Sequence, residues 1–188
     1  MKKKRILALF LAAVSCLSLA VSASAAGTTT RKATDFKDYD RTAWYAEAVS
    51  AAVDNGLLYG KSSTMLDPNG DMTRAEMAAI INCSFGCYKA ADISQYKDVS
   101  KSKWYYKDVA LAVQMGTYNG RSSSAMAPDA PISRQEAMTV VARALELDYD
   151  SYSKTDLSAF SDRSEISNWA LPYVRAMVGA DYIHGRGK

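Results

Sequence analysis

Apolar side chains recur at helical spacing in five stretches of this chain, separated by loops rich in Ser, Gly, Asp and Pro. In the first stretch Trp44, Ala48, Val49, Ala52 and Val53 fall on one helix face. Trp104, Val109, Ala112 and Val113 repeat that face, and Trp169, Tyr173, Val174, Met177 and Val178 repeat it again. Two longer stretches lie between them, residues 73 to about 85 and 133 to about 147. There Ile80, Ile81, Ser84 and Phe85 match Val140, Val141, Ala144 and Leu145. Such stripes are the core-facing sides of amphipathic helices. The pattern predicts an all-α chain of helix-loop-helix units. Thr42, Ser102, and Ser167 or Asn168 are the expected N-caps of the short helices. Gly56 and Gly116 should close the first two in the left-handed conformation. Asp181 stands at the matching place in the third and tolerates φ > 0 better than most residues. Pro172 would cost a hydrogen bond inside that helix, so its start is expected late, with Asn168 as cap.

The same chain positions recur as a repeat. Phe36-Lys37-Asp38 returns as Tyr96-Lys97-Asp98 and as Phe160-Ser161-Asp162. Trp44 returns as Trp104 and Trp169, Gly60 as Gly120 and Gly185, and Pro68 as Pro128. The period is 60 residues and then about 65. This divides the chain into a leader (1–25), a short linker (26–33), two full repeats (34–92 and 93–155) and a truncated third (156–188).

Each long helix opens on the same words, Thr73-Arg74-Ala75-Glu76 and Ser133-Arg134-Gln135-Glu136. A hydroxyl at the N-cap with Glu three residues on is a capping box, in which each side chain bonds the other residue's backbone N–H. Such a cap is worth about 1 kcal/mol. It accounts for Thr73, Ser133, Glu76 and Glu136 but not for the arginines. Arg74 and Arg134 sit at the first helical position, where the dipole disfavours a cation by a few tenths of a kcal/mol. Their recurrence implies another task, the holding of an anion at the helix N-terminus. On that reading either Arg is dispensable for the fold.

Charge changes the picture only through the leader. Lys2, Lys3, Lys4 and Arg5 precede an apolar run from residue 6 to 19 and a small-residue site, Ala23-Ser24-Ala25, the pattern of a secretory signal peptide cut before Ala26. A lipoprotein reading would use Cys16, for which Ala13 is a weak context. Cleavage removes four of 23 basic residues and none of 20 acidic ones, so the net charge moves from +3 to −1. That gives no support to nucleic-acid binding, and no later apolar run is long enough to span a bilayer. Cys83 and Cys87, four apart, fit a strained disulfide or two small buried side chains. The loop at Asp67-Pro68-Asn69-Gly70-Asp71 lacks the Gly and Glu of a calcium-binding EF-hand, and no metal or cofactor is expected.

The order [Phe/Tyr]-x-Asp, Trp-Tyr, Gly, Pro and [Thr/Ser]-Arg-x-Glu resembles the S-layer homology domain over roughly residues 34 to 188. The resemblance implies a pseudo-trimer of three repeats with a central bundle of three long helices. Its grooves bind secondary cell-wall polysaccharide, often through a pyruvylated amino sugar. Here the arrangement would be an incomplete pseudo-trimer, because the third unit has no capping-box helix. The hallmark segment makes Arg74 and Arg134 the leading ligand-binding candidates, with Thr73, Ser133, Glu76 and Glu136 beside them. A pyruvyl carboxylate suits a guanidinium bidentately. Trp44 and Trp104 are sugar platforms or core, and the spacing favours core. Asp38 and Asp98 either take sugar hydroxyls or cap turns; Gly60 and Gly120 either admit a ligand to the backbone or permit φ > 0.

The expected function is non-catalytic anchoring at the surface of a bacterium, Gram-positive by resemblance, with cell-wall polysaccharide as partner. A wall-acting glycoside hydrolase and a self-assembling surface-layer protein are the alternatives. Two long helices in place of three predict marginal stability, or association with another copy or a partner chain that supplies the third.

Overall fold

The computed structural model describes residues 31–185. The leader and most of the linker read from the sequence lie outside them. The described residues hold five α-helices and no strand: α1 (Ala46–Asp54), α2 (Arg74–Phe85), α3 (Tyr106–Gln114), α4 (Arg134–Ala144) and α5 (Leu171–Gly179). Short 3-10 turns lie at Ala33–Asp35, Asp150–Tyr152 and Arg163–Glu165.

The long helices begin where the capping boxes place them. Thr73 Oγ1 accepts from the Glu76 amide at 3.2 Å, and the Thr73 amide donates to Glu76 Oε2 at 2.8 Å. Ser133 and Glu136 make the same pair of bonds at 3.3 and 2.9 Å. Gly56, Gly116 and Asp181 are all left-handed, at φ 67, 73 and 66°. α4 ends at Ala144, short of the expected residue 147, because Glu146 turns the chain at φ 49°.

The short helices start three or four residues later than their expected caps. Thr42 bonds Asp40 Oδ1 through both its hydroxyl and its amide, at 2.7 and 2.8 Å. The Ser102 amide donates to the Ser100 hydroxyl, and the Ser167 amide to Gln135 Oε1. These hydroxyl residues therefore shape turns, and Tyr45, Tyr105 and Ala170 occupy the N-cap positions. Pro172 falls at the second position of α5, where a missing N–H costs nothing. The tryptophans consequently lie in the turn rather than on the helix stripe. Trp44, Trp104 and Trp169 are 88, 62 and 52% exposed, which overturns the core reading for Trp44 and Trp104. The cysteine reading also changes: Cys83 is an exposed free thiol and Cys87 a half-buried one.

Packing runs across the repeat boundary. α2 lies against α3, α4 against α5, and α2 against α4. Each long helix thus pairs with the short helix of the following unit. The main core joins Ala75, Ala78 and Ile81 of α2 to Val109 and Ala112 of α3, and closes on Tyr118, Met126 and Val140. Smaller clusters sit at each end, around Phe36, Val53 and Leu66, and around Leu157, Ala170 and Val174. Ile80 on α2, Val141 and Ala144 on α4 and Leu145 just after it stay half-buried, and Phe85 is exposed.

The recurring Asp and Gly form one device. Asp38 accepts the amides of Leu66 and Asp67 at 2.9 and 2.6 Å; Asp98 accepts those of Met126 and Ala127 at 2.9 and 2.6 Å. Asp67 and Ala127 stand at φ 56 and 54°, so each carboxylate clasps a strained turn 28 or 29 residues away. A Cβ on Gly60 would meet the Phe36 ring and the Met65 carbonyl; on Gly120 it would meet the Tyr96 ring and the Ala125 carbonyl. At both positions a side chain would collide with that aromatic ring, and Gly60 also stands at φ 83°.

Gly120→Ala is therefore expected to destabilise by about 1–3 kcal/mol through overpacking. Urea unfolding followed by circular dichroism measures it.

Candidate functional site

The two hallmark arginines occupy opposite environments. Arg74 is 5% exposed and saturated by the second repeat. Its Nε donates to the Met126 carbonyl at 3.0 Å, Nη2 to the Asn119 carbonyl at 3.1 Å, and Nη1 to Glu136 Oε1 at 2.9 Å. The Tyr118 ring lies 5.2 Å from the guanidinium carbon, and the Tyr118 hydroxyl donates to the Arg74 carbonyl. The helix end is plugged as well. The Arg74 and Ala75 amides donate to the carbonyls of Ala130 and Pro128, and the Ile132 amide to the Met72 carbonyl. Arg74 does hold an anion, but that anion is a carboxylate of its own chain. The reading of Arg74 as dispensable is overturned, since its removal leaves buried acceptors unpaired.

Glu136 is the centre of this joint. Beyond its capping bonds and Arg74, it accepts Arg121 Nε at 3.3 Å and Nη2 at 3.2 Å. Burial pushes its carboxyl pKa up, but the Ser133 amide, the Arg74 charge and Arg121 together hold it below the ordinary 4.5. Among the described residues Glu76 has only Lys61 as cationic partner, at 2.7 Å. Its carboxyl also stays below 4.5, the Lys61 and Thr73 hydrogen bonds outweighing burial. Arg134 is exposed and makes no ion pair among the described residues.

Above this joint opens a groove of about 400 Å³, within the usual range of roughly 300–1,000 Å³ for ligand pockets. The second repeat lines it with Tyr118, Gly120, Arg121, Glu136 and Arg143, the third unit with Trp169, and the first with Arg74. Gln135 sets the position of Trp169: its Oε1 accepts the Ser167 amide at 2.9 Å, and its Nε2 donates to the Ser167 hydroxyl at 3.2 Å.

Of the residues expected to bind ligand, the groove thus gathers Arg74, Gly120 and Glu136. Asp38, Asp98, Gly60, Thr73 and Ser133 serve the fold in the ways described. Trp44, Trp104, Arg134 and Glu76 do not line this groove. Trp169, Arg121 and Arg143 were missed as site residues. The repeat alignment marked Trp169 as the equal of Trp44 and Trp104; Arg121 and Arg143 carry no motif.

Two expectations follow. Arg74→Ala should cost about 1–3 kcal/mol by leaving the Met126 and Asn119 carbonyls without their donor. Arg134→Ala, at a surface site, should stay within about 0.5 kcal/mol. Denaturant titration of both variants makes the comparison. The carboxyl pKa of Glu136 is lowered by folding, so its stabilisation is complete above 4.5 and is lost as pH falls through the folded value. The melting-temperature gap between wild type and Glu136→Gln should narrow between pH 7 and pH 3.

The S-layer homology domain model matches residues 35–78 and 95–138, one segment in each full repeat. The chain is 32% identical over 154 residues to a surface-layer 125 kDa protein of Lysinibacillus sphaericus, covering 81% of this chain and 13% of that protein. It is 25% identical to an endoglucanase of Bacillus sp. (strain KSM-635), over 97% of this chain and 19% of the enzyme. It is 26% identical to the exoglucanase XynX of Acetivibrio thermocellus, over 82% and 14%. The chain thus spans less than a fifth of the length of these relatives. Surface-layer proteins and enzymes of different activity share only this segment with it, and through its two matched repeats the chain belongs to the S-layer homology domain family.

Proposed function

We propose that this chain is a non-catalytic anchor that binds an anionic secondary cell-wall polysaccharide, a pyruvylated one by family resemblance, in the groove between its second and third units. The S-layer homology domain is a cell-wall anchoring module, and it places the chain at the cell surface. The observation that carries the finer reading is the groove itself. It combines an exposed indole face, Trp169, with three guanidinium groups and a single carboxylate. A sugar ring stacks on the first, and an acidic substituent is attracted by the excess of cations. The producing cell would be Gram-positive.

A wall-acting hydrolase is the less supported reading. Glycoside hydrolysis needs a carboxylic acid with a raised pKa beside a second carboxylate. The two repeated glutamates are both held below the ordinary value and engaged in caps and ion pairs. No helix of the described residues is long and apolar enough to cross a membrane.

The protein should sediment with purified Gram-positive wall and release no soluble sugar from it. Trp169→Ala should weaken that binding about tenfold, equivalent to roughly 1.4 kcal/mol, with an unchanged melting temperature. Release of reducing sugar would instead support the hydrolase. Failure to sediment would remove the anchoring reading.

A further inference from the structure

We infer that Arg143, not either arginine of the hallmark segment, is the residue that reads the acidic substituent of the glycan, and that this substituent is a carboxylate. The inference rests on the wall-binding reading and names the contact that gives it charge selectivity.

The groove contains three guanidinium groups in different states of engagement. All three nitrogens of Arg74 donate to the protein, and its charge faces Glu136. Arg121 uses Nε and Nη2 on the same Glu136, and Nη2 also on the Pro131 carbonyl. One carboxylate therefore serves two cations. Arg143 has no carboxylate partner among the described residues. Its Nη2 donates to the neutral Tyr173 hydroxyl at 3.0 Å, and its guanidinium carbon lies 4.8 Å from the centre of the Tyr173 ring. Its Nε and Nη1 have no hydrogen-bond partner among the described residues. With Glu136 ionised, the groove carries an excess of two positive charges.

Arg143 is also held in place. Tyr173 beneath it is braced by Tyr149, edge to face, with ring centres 4.7 Å apart at 71°. A planar guanidinium fixed on an aromatic face, with N–H groups not engaged by a carboxylate, is preorganised for bidentate contact with one. Trp169 lines the same groove, so one ligand can stack a ring on Trp169 while its acid group meets Arg143.

The repeat supplies an internal comparison. Sixty residues earlier, at the matching position on α2, stands Cys83, an exposed free cysteine. Nothing in the repeat pattern calls for a cation at this position. Arg143 thus belongs to the second repeat alone and sets this groove apart in charge.

The test uses two defined probes, a glycoside of a pyruvylated amino sugar and the same glycoside without the ketal, titrated calorimetrically into the full chain. Wild type should bind the pyruvylated probe at least tenfold more tightly. Arg143→Gln should bind both probes equally, losing the preference for the pyruvylated one. Arg143→Lys, which keeps the charge without the fork, should recover part of the preference. A loss confined to the acid-bearing probe separates a ligand contact from a structural one, which would weaken both. If Arg143→Gln keeps the wild-type preference while wild type still sediments with wall, the assignment is wrong and the anchoring reading stands. If wild type binds neither probe nor wall, both fall. If the Arg143 dependence appears only with a phosphodiester wall polymer, the carboxylate assignment is overturned.

Discussion

The first repeat and the second are locked together by one buried guanidinium. Arg74 leaves the first turn of α2, crosses into the loop of the next repeat and bonds two of its carbonyls and the Glu136 carboxylate. Desolvating a guanidinium and a carboxylate is expensive, and such a pair is favourable only when every donor and acceptor is satisfied. All three nitrogens of Arg74 donate, and Glu136 accepts from its own N-cap, from Arg74 and from Arg121. The few tenths of a kcal/mol by which the helix dipole opposes Arg74 are small beside those contacts.

Around that joint the cooperative unit differs from the sequence unit. A repeat reads as short helix, loop, long helix, yet the tight pairs are a long helix with the next short helix. α2 completes its core only when α3 arrives, and α4 only when α5 does. The loop clasps, Asp38 on Leu66 and Asp67, and Asp98 on Met126 and Ala127, are local to each repeat. They shape the loop whose carbonyls then receive the preceding helix. Local clasps thus prepare the surface, and the buried Arg and the apolar stripes bind it. This is nearest-neighbour stabilisation in a repeat protein, with a charged residue at the interface.

The groove is a by-product of the same joint. The loop that receives Arg74 forms one wall with Gly120 and Arg121, and Gln135 draws the turn carrying Trp169 against the other side. Building the floor consumes Arg74 and most of Glu136. The remaining chemistry lies on the rim, where Trp169 offers an apolar face and Arg143 an uncompensated charge. The hallmark residues Arg74 and Glu136 are thus engaged with each other, and they build the surface beside which Trp169 and Arg143 lie.

The sequence alone determined the all-α class, the repeat, both capping boxes and the left-handed residues at Gly56, Gly116 and Asp181. These are local: a hydroxyl and a Glu three residues apart, or a Gly at the end of an apolar stripe, act within one or two turns of chain. It also marked Arg74 and Arg134 as anomalous for their position. What it left undecided was separated by tens of residues. Nothing near Arg74 distinguishes it from Arg134; one is buried because Asn119, Met126 and Glu136 surround it, the other exposed because no described residue does. The tryptophans fit the helical spacing yet lie outside the helices, since Thr42 and Ser102 bond within turns and Ser167 bonds Gln135 of α4 instead of capping a helix. Trp169 and Arg143 line one groove only because α4 packs on α5. Periodicity fixes which face of a helix is apolar, but only tertiary packing decides which charged residues that face carries into the core and which it leaves beside a groove.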